Sequence, residues 1–177
     1  MAVGIFRVAP LPGETTFSLL CRVAAHYGTE AKTLRSCWQW RNYQPRHEGG
    51  GARADGEVLL NAAERHHLST MCGVGHELLA RALPSWEEED AKLPAGEDAA
   101  PAAAWRTGGA VAGPVAFSCR LCATRRTGTA VRVVRYAPLW SRVCGRHGRW
   151  LLDADADQSL EHLDLRGLPE VIAARRR

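Results

Sequence analysis

Four side chains in the last third of the chain have the types and spacing to hold a metal ion. Cys119 and Cys122 stand two residues apart, and after a gap of twenty-one residues Cys144 and His147 repeat that spacing. A two-residue spacing forms a tight knuckle that turns both side chains toward one ion, and Gly145 is expected to ease the second turn. Three sulfurs and one imidazole suit tetrahedral Zn2+, and a four-donor set leaves no position for water or substrate. The pattern therefore predicts one structural zinc ion held by Cys119, Cys122, Cys144 and His147. A histidine in the fourth place suits an iron–sulfur cluster less well. No βαβ pattern surrounds Cys119 and Cys122, as a thioredoxin-like redox pair would require. The bland alternative is a set of buried thiols beside a solvated histidine.

The same stretch is basic. Residues 115–150 carry eight arginines and no acidic residue. Three thiolates and one Zn2+ sum to −1, so the module keeps a charge near +7. Arg120, Arg125, Arg126, Arg132, Arg135, Arg142, Arg146 and Arg149 decorate the knuckles and the loop between them, interleaved with Tyr136, Trp140 and Trp150. Arginine mixed with aromatics suits phosphate contact and stacking, so these eight arginines are the candidate nucleic-acid contacts. For the three aromatics, packing into a small core is the favoured reading over stacking. A stretch this short builds little core, whereas structural zinc contributes about 10–16 kcal/mol of folding free energy.

The remaining candidates for chemistry are thin. Cys21 and Cys37 fall on expected inner helical faces and read as small buried hydrophobes. Cys72 and His76 have the helical i, i+4 spacing of a ligand pair, with His66 and His67 nearby, but no further paired ligands stand out. The chain has no Gly-x-x-x-x-Gly-Lys, no Gly-x-Gly-x-x-Gly after a strand and no His-Glu-x-x-His. Catalysis is not expected.

The elements that position these residues are expected to be mostly helical. Thr15 or Thr16 caps a helix whose apolar stripe is Phe17, Leu20, Val23, Ala24 and Tyr27, and Gly28 ends it. A second helix is expected over residues 29–41, with Ala31, Leu34, Cys37 and Trp38 inward, before the break at Gly49-Gly50-Gly51. A third, capped by Asp55, covers Val58, Leu59, Ala62 and Ala63. A turn around Leu68-Ser69-Thr70 leads to a fourth carrying Leu78, Leu79, Ala82 and Leu83, ended by Pro84. Short helices joined by a tight turn are compatible with helix-turn-helix DNA recognition, though any helical bundle shows them.

The expected fold is therefore mainly α with a small zinc-knuckle module. Residues 1–84 form a helix-turn-helix-like bundle and 85–114 an acidic linker rich in Pro, Ala and Gly, which Trp86 and Trp105 tack onto a neighbour. Residues 115–152 form the zinc module and 153–177 a C-terminal helical segment, with starts near Asp157 or Ser159 and at Pro169. Low complexity and like charges bury too little surface to order the linker.

The whole chain has 177 residues, a net charge of +4 and 46% hydrophobic residues, as a globular protein of one or two domains does. No run approaches the length of a membrane span, and Met1 to Pro12 has no apolar signal core. The expected compartment is the cytoplasm, where disulfides are disfavoured.

The order of these features resembles a known family. Pro10-Leu11-Pro12-Gly13-Glu14-Thr15, followed by the helix containing Ser18-Leu19-Leu20-Cys21-Arg22 and by Gly28, is similar to the start of TniQ-family proteins. Trp140, Val143-Cys144-Gly145-Arg146-His147-Gly148 and Leu151-Leu152-Asp153 resemble that family's zinc region. The likeness spans roughly residues 8–153, and the stretch from Leu68 to Pro84 follows the family only in outline. TniQ and TnsD proteins select targets for Tn7-like transposons: they recognise attachment-site DNA or dock on an RNA-guided complex, and pass the site to an AAA+ ATPase regulator. The resemblance implies a non-enzymatic adaptor that binds duplex DNA and recruits a protein partner. The alternative is a protein–protein interaction module whose basic face docks on an acidic surface without touching DNA.

Overall fold

In the computed structural model, which describes residues 7–34, 57–60, 62–86, 106–108, 113–154 and 159–174, the first helix begins and ends where the sequence places it. Helix α1 spans Thr16–His26, and the Thr15 hydroxyl accepts from the Ser18 N–H at 3.1 Å. Gly28 takes a φ of 67°, which lets Thr29 N–H reach back to the Ala24 carbonyl at 2.9 Å and Gly28 N–H to Ala25 at 3.1 Å. This is a Schellman close, and it satisfies two carbonyls that the helix leaves open. Leu19, Leu20, Val23 and Ala24 are buried, Phe17 is half-buried and Tyr27 is exposed. Residues 31–34 are helical, with Leu34 buried; Cys37, Trp38 and the Gly49-Gly50-Gly51 break lie outside the described residues.

The next elements differ from expectation. Glu57–Leu59 is a strand, β1, where a helix capped by Asp55 was expected, and helix α2 runs over Ala62–Cys72. Leu68, Ser69 and Thr70 are helical. The turn comes after Cys72, at Gly73, whose φ is 62°. Leu68 and Cys72 are both fully buried one helical turn apart, so continuing the helix buries more apolar surface than turning at Leu68. Helix α3 spans His76–Ala82, as expected for the fourth helix.

The fold is mixed α/β rather than mainly α with a helix-turn-helix-like bundle, because short strands tie distant segments together. Strand β1 pairs antiparallel with β2 (Arg106–Gly108), a segment assigned to the linker. β3 (Val115–Phe117) pairs with β4 (Val134–Tyr136). β5 (Val143–Cys144), β6 (Arg149–Leu151) and β7 (His162–Asp164) form a third antiparallel sheet. β7 lies where a helix carrying Leu160 and Leu163 was expected; helix α5 does begin at Pro169, spanning Pro169–Ala174. Each strand is two or three residues long, too short to display the alternation that marks a strand in a sequence.

Backbone pairing joins the ends of the chain. Thr15 N–H donates to Val134 O at 3.1 Å and Tyr136 N–H to Gly13 O at 2.8 Å, so the lead into α1 lines the outer edge of β4. On the other edge, Phe117 N–H donates to Leu152 O and Ala154 N–H to Val115 O. The larger core packs α1, α2, α3, Val58, Leu60 and Trp86 together, and a smaller one holds Val115, Phe117, Val134 and Ala154. Trp86 thus anchors the first residues of the expected linker, and Trp105 lies outside the described residues. Among the described residues, no helix is long and apolar enough to cross a membrane.

Candidate metal centre

The two knuckles come from different kinds of local structure. Cys119 is the N-cap of helix α4 (Arg120–Thr127), and Cys122 sits in its first turn. Helix N-termini favour thiolate over thiol through their open N–H groups and dipole. Cys144 ends β5, and His147 N–H donates back to the Cys144 carbonyl at 3.2 Å within the turn to β6. The residue that requires a special backbone there is Gly148, at a φ of 58°, and not Gly145. A Cβ on Gly148 would lie 3.1 Å from Arg166 Cγ, so both conformation and space select glycine.

The four side chains meet. His147 Nδ1 lies 3.3 Å from Cys119 Sγ, 3.3 Å from Cys122 Sγ and 3.5 Å from Cys144 Sγ. Cys122 Sγ is 3.7 Å from Cys144 Sγ, far beyond a disulfide bond. All four donor atoms fall within 4.8 Å of one another, and the group can hold a metal ion. With the sulfurs this close, burial and the neighbouring Cys144 and Cys119 sulfurs push the Cys122 thiol up to about 12. Burial raises Cys144 as well, but hydrogen bonds from the His147 backbone N–H and from the Cys119 and Cys122 side chains outweigh it and leave that thiol below its ordinary value.

The other candidate ligands stay apart. Among the described residues, no further group of histidine, cysteine or carboxylate side chains gathers closely enough for a metal. Cys72 is fully buried, its thiol directed at the Ser69 carbonyl and pushed up to about 11 by burial. His76 packs edge-on against Trp86. Cys21 is half-buried.

The eight arginines divide into four groups. Arg142 is 3% exposed, with its Nη2 2.6 Å from Asp153 Oδ1 and its Nε donating to the Ala137 carbonyl. Arg120 and Arg132 both reach Glu161, at 3.3 and 3.1 Å, and Arg132 also lies over the Phe117 ring. Arg135 and Arg149 are half-buried, and Arg135 donates to the Ser141 carbonyl at 3.0 Å. Arg125, Arg126 and Arg146 are exposed and, among the described residues, form no ion pair with a carboxylate. Together with Cys119, Cys122 and Cys144, these three line one open cleft of about 630 Å³. Of the interleaved aromatics, Tyr136 packs on the smaller core and Trp150 is half-buried, but Trp140 is 80% exposed and belongs to no core.

A buried polar network supports the site from behind. Glu14 is fully buried and accepts from Leu11 N–H, the Ser18 hydroxyl and Arg22 Nε. Burial pushes its carboxyl up, against the pull of the Arg22 guanidinium. The Ser18 hydroxyl oxygen also accepts from Val134 N–H at 3.0 Å, fixing α1 to β4. Glu57 accepts from Phe17 N–H, Ser85 Oγ and Tyr136 Oη, joining α1, β1 and β4 at one carboxylate. Leu11 then packs on Ala123 of α4 and on Val133, and lines the cleft together with the cysteines. The spacing of Glu14, Ser18 and Arg22, four residues apart, was the available signal for this network.

A scan of protein-family models, a search of curated proteins and a search of solved structures gave no match to this chain.

Proposed function

We propose that this protein is a non-enzymatic, zinc-organised adaptor that binds duplex DNA. The observation that carries the reading is the set of exposed guanidiniums of Arg125, Arg126 and Arg146, which among the described residues pair with no carboxylate and line the cleft beside the candidate metal ligands. Arginine in that setting is matched by phosphate oxygens, which take its forked donors. Arg120, Arg132 and Arg142 are paired with acids and contribute less.

Zinc as the ion is supported by donor chemistry and spacing. Zn–S bonds of about 2.3 Å and Zn–N bonds of about 2.0–2.1 Å put tetrahedral edges near about 3.8 Å between sulfurs and about 3.5 Å between sulfur and nitrogen. The observed 3.7 Å and the 3.3, 3.3 and 3.5 Å distances fall close to those edges. Four protein donors close the coordination sphere, so the bound ion supplies folding energy and charge rather than Lewis-acid chemistry. The four ligands would fix α4 against the β5–β6 turn, and so keep Arg125 and Arg126 of the one on the same cleft as Arg146 of the other.

Within this reading, the resemblance to TniQ-family proteins adds that the adaptor selects a DNA target, or docks on an RNA-guided complex, and recruits an AAA+ ATPase regulator of transposition. The test is the salt dependence of binding to random duplex DNA. Replacing Arg125, Arg126 and Arg146 together with alanine removes three phosphate contacts and flattens the slope of log K against log salt by about 2.7. An unchanged slope refutes the phosphate contacts and favours a basic face that docks on an acidic protein surface.

A further inference from the structure

The loop between the knuckles carries a feature that phosphate contact alone does not use. Leu139 and Trp140 occupy the three-residue 3-10 turn Leu139–Ser141 and are 62% and 80% exposed. They are the two most exposed large apolar side chains among the described residues. The turn that presents them is braced on both sides. Ser141 N–H and Oγ both donate to the Pro138 carbonyl, at 2.8 and 2.9 Å. Arg142 N–H donates to Leu139 O, and the Arg142 side chain, tied to Asp153, donates to Ala137 O. Arg135, which lines the cleft beside the metal ligands, donates to the Ser141 carbonyl. The indole is therefore held out on a rigid support attached to the rim of the basic cleft.

We propose that Trp140 is a base-stacking residue, taking the face of an unstacked nucleobase in the nucleic acid whose phosphates lie on Arg125, Arg126 and Arg146. The inference rests on the DNA-binding reading and extends it to a specific substrate feature, an unpaired or flipped-out base. Charge decides the occupant. Arg125, Arg126 and Arg146 line the cleft to which Arg135 ties this turn, so the fitting occupant brings anionic groups and flat apolar faces together, which nucleic acid does. An indole offers the largest π-face of any side chain, and stacking on it tolerates any base. Leu139 beside it supplies an aliphatic contact of the kind that wedges into base steps.

The test compares the zinc-loaded full chain on a short duplex containing an unpaired base and on the same duplex fully paired, by fluorescence anisotropy. The wild-type protein prefers the duplex with the unpaired base. Trp140→Ala loses that preference, with affinity for it falling about 5–150-fold, while the salt slope stays at the wild-type value. Trp140→Phe restores most of the preference. Trp140 is solvent-exposed, so the variants fold, and their unchanged melting temperatures verify this. Equal affinity of Trp140→Ala and wild type for the unpaired-base duplex overturns the stacking role and leaves the indole to a protein surface. Absence of wild-type binding to either duplex at low salt overturns the DNA-binding reading itself, and stacking with it.

Discussion

Replacing Arg22 with methionine removes the cation from a buried ion pair and leaves Glu14 enclosed without it. The Arg22 side chain is 4% exposed and Glu14 is fully buried, with Nε and Oε1 3.1 Å apart. Arg22 also donates to the Ala9 carbonyl through Nη1 at 3.1 Å, pinning the lead segment to α1. Breaking a buried pair from one side costs about 3–5 kcal/mol, because the remaining charge is stranded in a low dielectric. For a chain of this size about 1 kcal/mol moves the melting temperature by about 2–4 °C, so Arg22→Met lowers it by about 6–20 °C. Adding Glu14→Gln removes the stranded charge and recovers part of the loss, so the two changes are non-additive. The comparison is Arg81→Met, which removes a surface pair with Glu77 whose side chains are 74% and 88% exposed. That change shifts stability by no more than about 0.5 kcal/mol. Thermal unfolding followed by circular dichroism at saturating zinc measures all four proteins. An Arg22→Met melting temperature within the Arg81→Met shift refutes the network as a support for the fold.

Gly148→Ala places a side chain at a positive φ and 3.1 Å from Arg166 Cγ. It costs at least about 1–2 kcal/mol and weakens zinc retention in a chelator competition, while Gly167→Ala, with open space around its Cβ, leaves retention unchanged. Side-chain and backbone hydrogen bonds from Arg166 hold the Asp164 carboxyl down at about 2. Because the folded value lies below the unfolded one of 3.8, the stability this pair contributes is present above pH 3.8 and is lost as pH falls toward 2. Carbon-13 NMR titration of Arg166→Ala, which keeps the backbone N–H bond to Asp164, finds the Asp164 midpoint raised toward the ordinary carboxylate range, and an unmoved midpoint contradicts the side-chain contribution. Tyr136→Phe deletes a hydrogen bond to the buried Glu57 carboxylate. It destabilises by about 1.5–3 kcal/mol in urea unfolding, and a change under about 0.5 kcal/mol contradicts the role given to Glu57.

The cluster of Cys119, Cys122, Cys144 and His147 was legible because its chemistry is carried by residue type and by a spacing of two, both visible in one dimension. Helix α1 was legible for a similar reason: its cap, its apolar period and Gly28 are all local. The strands were not. β1 reads as helix because Val58, Leu59, Ala62 and Ala63 recur at a helical period, while its hydrogen-bond partner sits near residue 107, in a stretch whose composition suggests a linker. Leu68-Ser69-Thr70 reads as a turn from its polar residues, yet Leu68 and Cys72 bury the same helical face. The arginines share one composition but not one environment. Only tertiary pairing separates Arg142, locked to Asp153, from Arg125, Arg126 and Arg146, which face solvent. Trp140 looks like a small-core aromatic beside Tyr136 and Trp150, and the 3-10 turn after Pro138 is what points it outward. Glu14, Ser18 and Arg22 are spaced four residues apart, with Glu14 ahead of α1, but their burial follows from the packing of the lead segment against β4, which local sequence does not encode.

The central claim is that this zinc-organised basic cleft grips nucleic-acid phosphate. It is tested most directly by fluorescence anisotropy of the zinc-loaded protein on random duplex DNA at two salt concentrations. Three phosphate contacts predict that affinity falls at least about 40-fold between about 50 mM and about 200 mM salt, and that chelating the zinc abolishes binding. Absence of binding at the lower salt, or binding that ignores both salt and chelator, contradicts the account.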